Sequence, residues 1–398
     1  MIFKNKSFIN LIYIITLFVI NIASHYIPFE RLIISPDTFS FIGADKNGLM
    51  NFIINPDRPL EYLIHEYEYY IFDYNFILYF YYLLISIFIL TIVTYFFFKL
   101  FFNSKISFSL SYLYIILPYK VEIYHSSIFA WINFVDSMYI TSIILFILYL
   151  RNNLKILLLL SVLLYLFAIL CRESGFFIPI FFIFYLFLLN QHKNFIHFFK
   201  ILLPYFIIMI FNLIYRFTGS FYQTSNTGRE INLENIPFGL FDFFNIFFGR
   251  YIIKNIIYGL YQFISLNYII IFFLFVANIL IILLFRKSFE IINLPKFKFQ
   301  SVIFFLLLIL ISLAPNVIGG SIGGRSTIIA SLGVCVFFLY IIKYFYLAYK
   351  KIVYFLLFIL LIISQGNAFA HVISLRITNS IYEYVIENRT IINNYDNI

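Results

Sequence analysis

The sequence predicts an all-α polytopic membrane protein with about eleven transmembrane helices. Three observations carry that prediction. Hydrophobic residues make up 63% of the 398-residue chain and charged residues only 11%, too little charge to cover a water-soluble fold of this length. Apolar runs recur along the whole chain, most of them close to the ~20 residues an α-helix needs to cross a bilayer. Lysines and arginines gather in short segments between those runs, where they read as topology signals.

The runs centre on residues 9–27, 76–100, 106–119, 133–150, 154–171, 175–190, 199–216, 264–286, 300–315, 326–346 and 351–367. The first, in MIFKNKSFINLIYIITLFVI, starts like a secretory leader, but no small-residue cleavage site follows its apolar core. It reads as a retained helix with Lys4 and Lys6 on the inner side. The third run is short, which suits a tilted or irregular helix. An inner N-terminus and eleven crossings put the C-terminus outside. On that scheme the inner loops hold Lys99, Lys105, Arg151, Lys155, Lys193, Lys200, the basic residues from Arg286 to Lys298, and Lys343, Lys350 and Lys351, with Glu290 as the single inner acid. The acids were not used to set the scheme, so their gathering on the other side points to one functional outer face.

Two outer segments are long, 28–75 and 217–263. The second is polar in its first half and aromatic and amphipathic from Pro237, which predicts a helix lying in the interface or re-entering it. A twelfth crossing over 237–258 is the competing reading, opposed by Arg250 and Lys254 in its middle. The chain then divides into a membrane domain, 1–367, and a tail, 368–398. In the tail Val372, Leu375, Tyr382 and Ile386 fall at helical spacing and predict a short outer amphipathic helix. The net charge of +9 is accounted for by the basic loops, so no nucleic-acid partner is expected. The two cysteines, Cys171 and Cys335, sit in apolar surroundings and imply neither a disulfide framework nor a thiolate metal site.

Candidate chemistry lies in the polar islands. In the first long segment Asp37 follows Pro36 just beyond the first helix. A carboxylate there can serve as general base towards a hydroxyl or ligate a divalent cation, with Asp45 and Asp57 as competitors. Arg58 precedes Pro59, and its guanidinium offers a two-pronged grip on phosphate oxygens. Glu61, Glu66, Glu68 and Asp73 read as solvated surface. Further on, Glu122, His125 and Asp136 could form a polar cluster beneath that segment, while Trp131 reads first as an interfacial anchor. Arg172 and Glu173 interrupt an apolar stretch that otherwise runs from Ile156 to Leu189, and ionisable groups at such depth are costly and usually paired. Finally, Gly319 to Thr327 is a glycine-rich turn in which Arg325 adds a cation before an outward-facing helix N-terminus. It lacks the GK[ST] of a nucleotide-binding loop.

Taken in order, these islands resemble the transmembrane O-mannosyltransferase-type glycosyltransferases of the GT-C superfamily. The resemblance rests on Asp37 with Arg58-Pro59-Leu60, on His125-Ser126-Ser127 with Ala130-Trp131-Ile132, on Cys171-Arg172-Glu173-Ser174-Gly175 with Pro179, and on Gly324-Arg325-Ser326. The chain departs from that family at Ser127, where a glutamate is expected, and at Arg172, where a lysine is. It also lacks the family's tetratricopeptide repeats. The resemblance implies a GT-C-like helix arrangement and inverting transfer of a sugar from a polyprenyl-phosphate donor to a glycan, lipid or protein acceptor outside the membrane. Asp37 would then be the base, Arg58, Arg172 and Arg325 would hold the donor phosphate, and Glu173, His125 and Asp136 would support them. No cofactor is required and no metal ligand is assigned, although carboxylates of this kind could hold a divalent metal. The expected location is a bacterial inner membrane, with membrane lipids around the chain and the site on the outer face. Two rivals remain, an oligosaccharide-repeat polymerase and a lipid-linked saccharide transporter or flippase.

Overall fold

The computed structural model describes residues 2–25, 59–72, 76–117, 130–190, 195–218, 236–247, 249–266, 268–288, 299–318 and 328–387. Every regular element among the described residues is helical. Helix α1 (Ile2–His25) is followed by α2 (Pro59–Phe72), α3 (Phe76–Lys99) and α4 (Ser104–Ile116). Then come α5 (Ala130–Asn152), α6 (Lys155–Cys171), a 3₁₀ turn at Glu173–Gly175, and α7 (Ile178–Tyr185), which runs into a π turn at Leu186–Asn190. The second half holds α8 (Phe195–Thr218), α9 (Ile236–Phe247), α10 (Arg250–Ile264), α11 (Tyr268–Ser288), α12 (Phe299–Ile318), α13 (Ile328–Ala348) and α14 (Lys350–Glu387).

Among the described residues every run expected to cross the membrane holds a helix, but the helices differ in reach. By length and composition four are able to cross: Tyr81–Lys99, Ala130–Asn152, Phe198–Tyr215 and Lys351–Phe369. A fifth exists if Ile252–Ile264 and Tyr268–Leu283 count as one span, although the two halves meet at 119°. The remaining apolar helices are shorter, at 10–17 residues, and lie at Asn10–Ser24, Lys155–Cys171, Glu173–Leu188, Ile303–Ala314 and Ile328–Tyr344. Several long apolar helices suggest a membrane protein, and among the described residues four of them, or five with the bent pair, are long and apolar enough to cross.

Helix α4 shows why length matters. Its 13 residues reach about 20 Å, short of the ~30 Å hydrocarbon core. It forms the centre of the bundle instead. Every residue from Ile106 to Ile116 is buried, with α1, α3, α11, α13 and α14 packed around it. Asn103 caps its N-terminus by accepting from the Ile106 N–H at 3.0 Å. Ser107, Ser109 and Ser111 donate back to carbonyls one turn earlier, so their hydroxyls are satisfied inside an apolar core.

The α5–α6 hairpin sets the ends of the bundle. Asn153 takes a left-handed conformation, with φ of 55°, and its N–H returns to the Tyr149 carbonyl at 2.7 Å. Asparagine tolerates that conformation, and the reversal lays α6 antiparallel to α5. Ser142 and Ser161 then exchange hydroxyl-to-carbonyl bonds of 2.8 and 2.6 Å, and Tyr205 of α8 donates to Ser161 Oγ at 2.6 Å. At the hairpin turn Arg151 donates to the Leu100 carbonyl at 2.8 Å. Lys99, Arg151 and Lys155 therefore share one end of the bundle. The 17 residues of α6 carry the chain about 25 Å to the other end.

The C-terminal helix differs from expectation. The chain does not break at residue 367; α14 is one helix of 38 residues. The polar residues that suggested an end, Ser364 to Asn367, are buried against neighbours rather than opened to water. Gln365 and Asn278 of α11 pair amide to amide at 2.8 Å in both directions, and Gln365 Nε2 also donates to the Ala23 carbonyl at 3.0 Å. Next to them Gly366 crosses Gly259 of α10. A Cβ on Gly366 would run into the Gly259 backbone, and one on Gly259 would come within 2.6 Å of the Ile363 carbonyl oxygen. Small residues let backbones approach in this way inside membranes, where apolar burial alone gives helices little reason to associate. The ambiguous stretch 237–258 is thus divided between α9 and α10, and α10 lies along α14 before the chain bends into α11.

Candidate functional site: a buried charge cluster at one end of the bundle

Of the residues singled out in the sequence, Asp37, Arg58, His125 and Arg325 lie outside the described residues, as do Glu122 and the whole Gly319–Thr327 turn. Asp136, Arg172 and Glu173 are described, and they come together.

The cluster grows from two short patterns. On α5, Asn133, Asp136 and Tyr139 recur every three residues, which places them along one side of the helix. On α6 the helix ends at Cys171, because Arg172 turns extended (φ −159°, ψ 148°) while its N–H still reaches the Ala168 carbonyl at 2.9 Å. The following 3₁₀ turn folds back between α5 and α12. Ser174 donates to Asp136 Oδ1 at 2.7 Å. The Tyr139 hydroxyl donates to the Arg172 carbonyl. Tyr165 of α6 donates to the Phe176 carbonyl at 2.8 Å. Gly175 rests on the face of Tyr139 so closely that a Cβ there would collide with the ring. Arg172, Ser174, Gly175 and Phe176 are thus each held in place by a tyrosine or an aspartate.

Burial makes the charges consequential. Asp136 is fully buried and Arg172 is only 7% exposed. Ionised groups removed from water are expensive unless each meets an opposite charge or good hydrogen bonds. The Arg172 charge reaches Asp136 as attraction and the Glu173 charge as repulsion. Asp136 Oδ2 makes no hydrogen bond among the described residues. Asn133 is divided in the same way: its Nδ2 donates to Ser86 of α3 at 3.0 Å, while its Oδ1 has no partner among the described residues. Asp136 lies about 9 Å along α5 from Ala130, so it sits near one end of the helix and well short of its middle.

Helix α2 brings the first long segment to the same place. It begins at Pro59, whose missing N–H costs nothing at a helix start, and it packs on α6 and α3. Glu61, in its first turn, lies within electrostatic reach of Cys171, the residue before Arg172. The helix that follows Arg58 in sequence therefore rests against the end of α6.

Two expectations are corrected here. Glu68 is not solvated surface; it is 7% exposed and lies beside the Tyr82 hydroxyl. The reason is spacing. Leu60, Ile64, Glu68 and Phe72 recur every four residues and form the inward side of α2, where Phe72 meets the Tyr79 ring edge-on and the Tyr82 ring at a tilt. Trp131 is no interfacial anchor either, being 3% exposed within the core. The residues that sequence reasoning passed over, Asn133 and Tyr139, carried a usable signal: polar groups three apart in an otherwise apolar helix define a polar side.

As chemistry, the cluster combines a cation suited to an anionic oxygen with a carboxylate able to accept hydrogen bonds, at one mouth of an apolar bundle. Among the described residues no three His, Cys, Asp or Glu side chains gather as metal ligands. The chain matches no protein-family model, and no curated protein and no solved structure is significantly similar to it.

Proposed function

We propose that the chain is an integral-membrane glycosyltransferase of GT-C type that moves a sugar from a polyprenyl-phosphate carrier to an acceptor on the outer face, with inversion. The observation that carries this reading is the meeting of Arg172 and Asp136 at the end of the bundle where α2, directly after Arg58, packs against α6. A donor of this class presents a phosphate at the lipid–water boundary, and the phosphate gains charge as the glycosidic bond breaks. Arginines held at that boundary would stabilise the leaving group. In this reading Arg58, Arg172 and Arg325 grip the phosphate, and Asp37 removes the proton from the attacking hydroxyl. Glu173, His125 and Asp136 support them. In this reading α9 and α10 lie in the interface, and the shorter apolar helices complete the membrane domain around the four long ones.

A second reading, a lipid-linked saccharide transporter, draws on the bent α10–α11 pair, since broken helices line many transport paths. The position of Asp136 and Arg172 near helix ends, away from the middle of the bundle, favours the transferase.

The test is transfer of radiolabelled hexose from a synthetic polyprenyl-phosphate donor in membranes holding the full chain. Asp37→Asn should abolish transfer at unchanged abundance, and Arg58→Lys should weaken donor use because an ammonium cannot fork. Wild-type turnover by Asp37→Asn would remove the base assignment. Sugar-lipid movement across the membrane without transfer would favour the second reading.

A further inference from the structure

We propose that the exposed foot of α6 and α8 is a binding surface for the headgroup of an anionic phospholipid, held between Lys155 and Lys200. It lies at the end of the bundle away from the charge cluster, and it would serve a transferase and a transporter alike.

The fold brings the two lysines to one level. Lys155 opens α6 directly after the hairpin turn. From the 3₁₀ turn at the other end, α7 and its π turn run back towards the hairpin, and Tyr185 arrives beside Arg151. Only four residues separate Asn190 from Phe195, so α8 also starts at the hairpin end and runs beside α6. The Tyr205 hydroxyl marks the register by donating to Ser161 Oγ at 2.6 Å. Lys155 lies six residues before Ser161 and Lys200 five before Tyr205, about 9 Å and about 7.5 Å from that level towards the hairpin end.

Both lysines are exposed, and their surroundings are apolar. Leu154, Ile156 and Phe199 beside them are exposed too, and the exposed apolar face continues through Leu159 on α6 and through Leu203 and Ile207 on α8. A surface that passes from apolar to cationic within about one turn fits the boundary between acyl chains and headgroups, where lysine stems lie along hydrocarbon and their ammonium groups reach water. Neither helix carries an Asp or Glu, so no carboxylate of α6 or α8 competes for the two ammonium groups. Arg151 is engaged otherwise, donating to the Leu100 carbonyl. A phosphodiester headgroup has the complementary charge, and two ammonium groups on neighbouring helices can meet one phosphate from two sides. A zwitterionic headgroup brings its own cation, which the lysines repel.

A diffuse attraction of anionic lipid to every cation at this end is the competing account, and Lys351 separates the two. The Tyr114 hydroxyl, at the far end of α4, donates to the Ile328 carbonyl at 3.3 Å, and α13 runs from there back to the start of α14. Lys351 is therefore an exposed cation at the same end, but on a helix that packs against α1, α10, α11 and α13.

The experiment mixes the detergent-solubilised full chain with equal amounts of phosphatidylglycerol and phosphatidylcholine, removes free lipid, and measures by mass spectrometry which lipid is retained. Wild type should retain phosphatidylglycerol in preference, and high salt should reduce that preference. Lys155→Gln and Lys200→Gln should each lower it about fivefold, the worth of one lysine at an anionic surface. Lys155→Arg should keep it, and Lys351→Gln should leave it within about twofold of wild type. Exposed substitutions of this kind seldom disturb folding, and Lys200→Gln decides should Lys155→Gln not fold. Equal retention of the two lipids by wild type overturns the proposal, as does an unchanged preference in both glutamine variants of α6 and α8. A loss in Lys351→Gln as large as in Lys155→Gln also overturns it, because the attraction would then be spread over the whole end of the bundle.

Discussion

Ser174 reaches across 38 residues of chain to donate to Asp136 Oδ1 at 2.7 Å, and this one bond joins the turn after α6 to the polar side of α5. Asp136 and Arg172 depend on each other for burial. Replacing Asp136 by Ala should cost about 3–5 kcal/mol, since it removes an opposite charge from beside the buried Arg172. Thermal unfolding in detergent would measure this. The double variant Asp136→Ala/Arg172→Ala should be less destabilised than the sum of the two single variants, and simple additivity would show that the charges do not act on each other.

The Gly366–Gly259 crossing predicts unusual intolerance of a single methyl group. Gly366→Ala forces a carbon into the Gly259 backbone, which no side-chain rotation can relieve. A loss of about 1–3 kcal/mol or more is expected. Size-exclusion profiles and melting curves of the purified variant should both deteriorate. A wild-type profile would mean that α10 and α14 are further apart than described.

The Gln365–Asn278 pair predicts a different pattern. Gln365→Leu removes partners from both Asn278 and the Ala23 carbonyl, leaving buried groups unmet at a cost of about 1–3 kcal/mol. Gln365→Leu/Asn278→Leu should recover much of that loss, because two apolar side chains leave less polarity unpaired. Failure to recover would locate the loss in packing.

The two ends of the bundle can be told apart by labelling. Both native cysteines are buried, so the wild-type background should be low. A cysteine at Asn152, on the exposed hairpin turn, and one at Tyr70, 83% exposed on α2, should react with an impermeant maleimide from opposite sides of the membrane. Labelling from the same side would contradict the placement of Tyr70 and the α5–α6 turn at opposite ends of the bundle.

Much of this architecture was legible in the chain. Apolar length alone located the helices, because backbone groups in lipid must be satisfied within the segment. The Arg172–Glu173 interruption marked the cluster for the same reason. What hydropathy could not give was facing. Glu68 looked like one acid among several, yet its spacing from Leu60 and Ile64 turns it inward beside Tyr82. Trp131 looked like an anchor because tryptophan often is one, whereas packing of the first turn of α5 buries it. The polar residues Ser364 to Asn367 suggested an end to the last helix, and they are instead the groups by which it grips α10, α11 and α1.

The unbroken course of α14 has a mechanical consequence. Its 38 residues extend about 57 Å, nearly twice the ~30 Å of a hydrocarbon core. Beyond the clamp at Gly366 roughly 32 Å of helix remains, by the same rise per residue. Pivoting about that clamp, a tilt of about 10° would swing the far end by roughly 5 Å, so a small change in how α10 seats on Gly366 becomes a displacement as wide as a helical turn at Glu387.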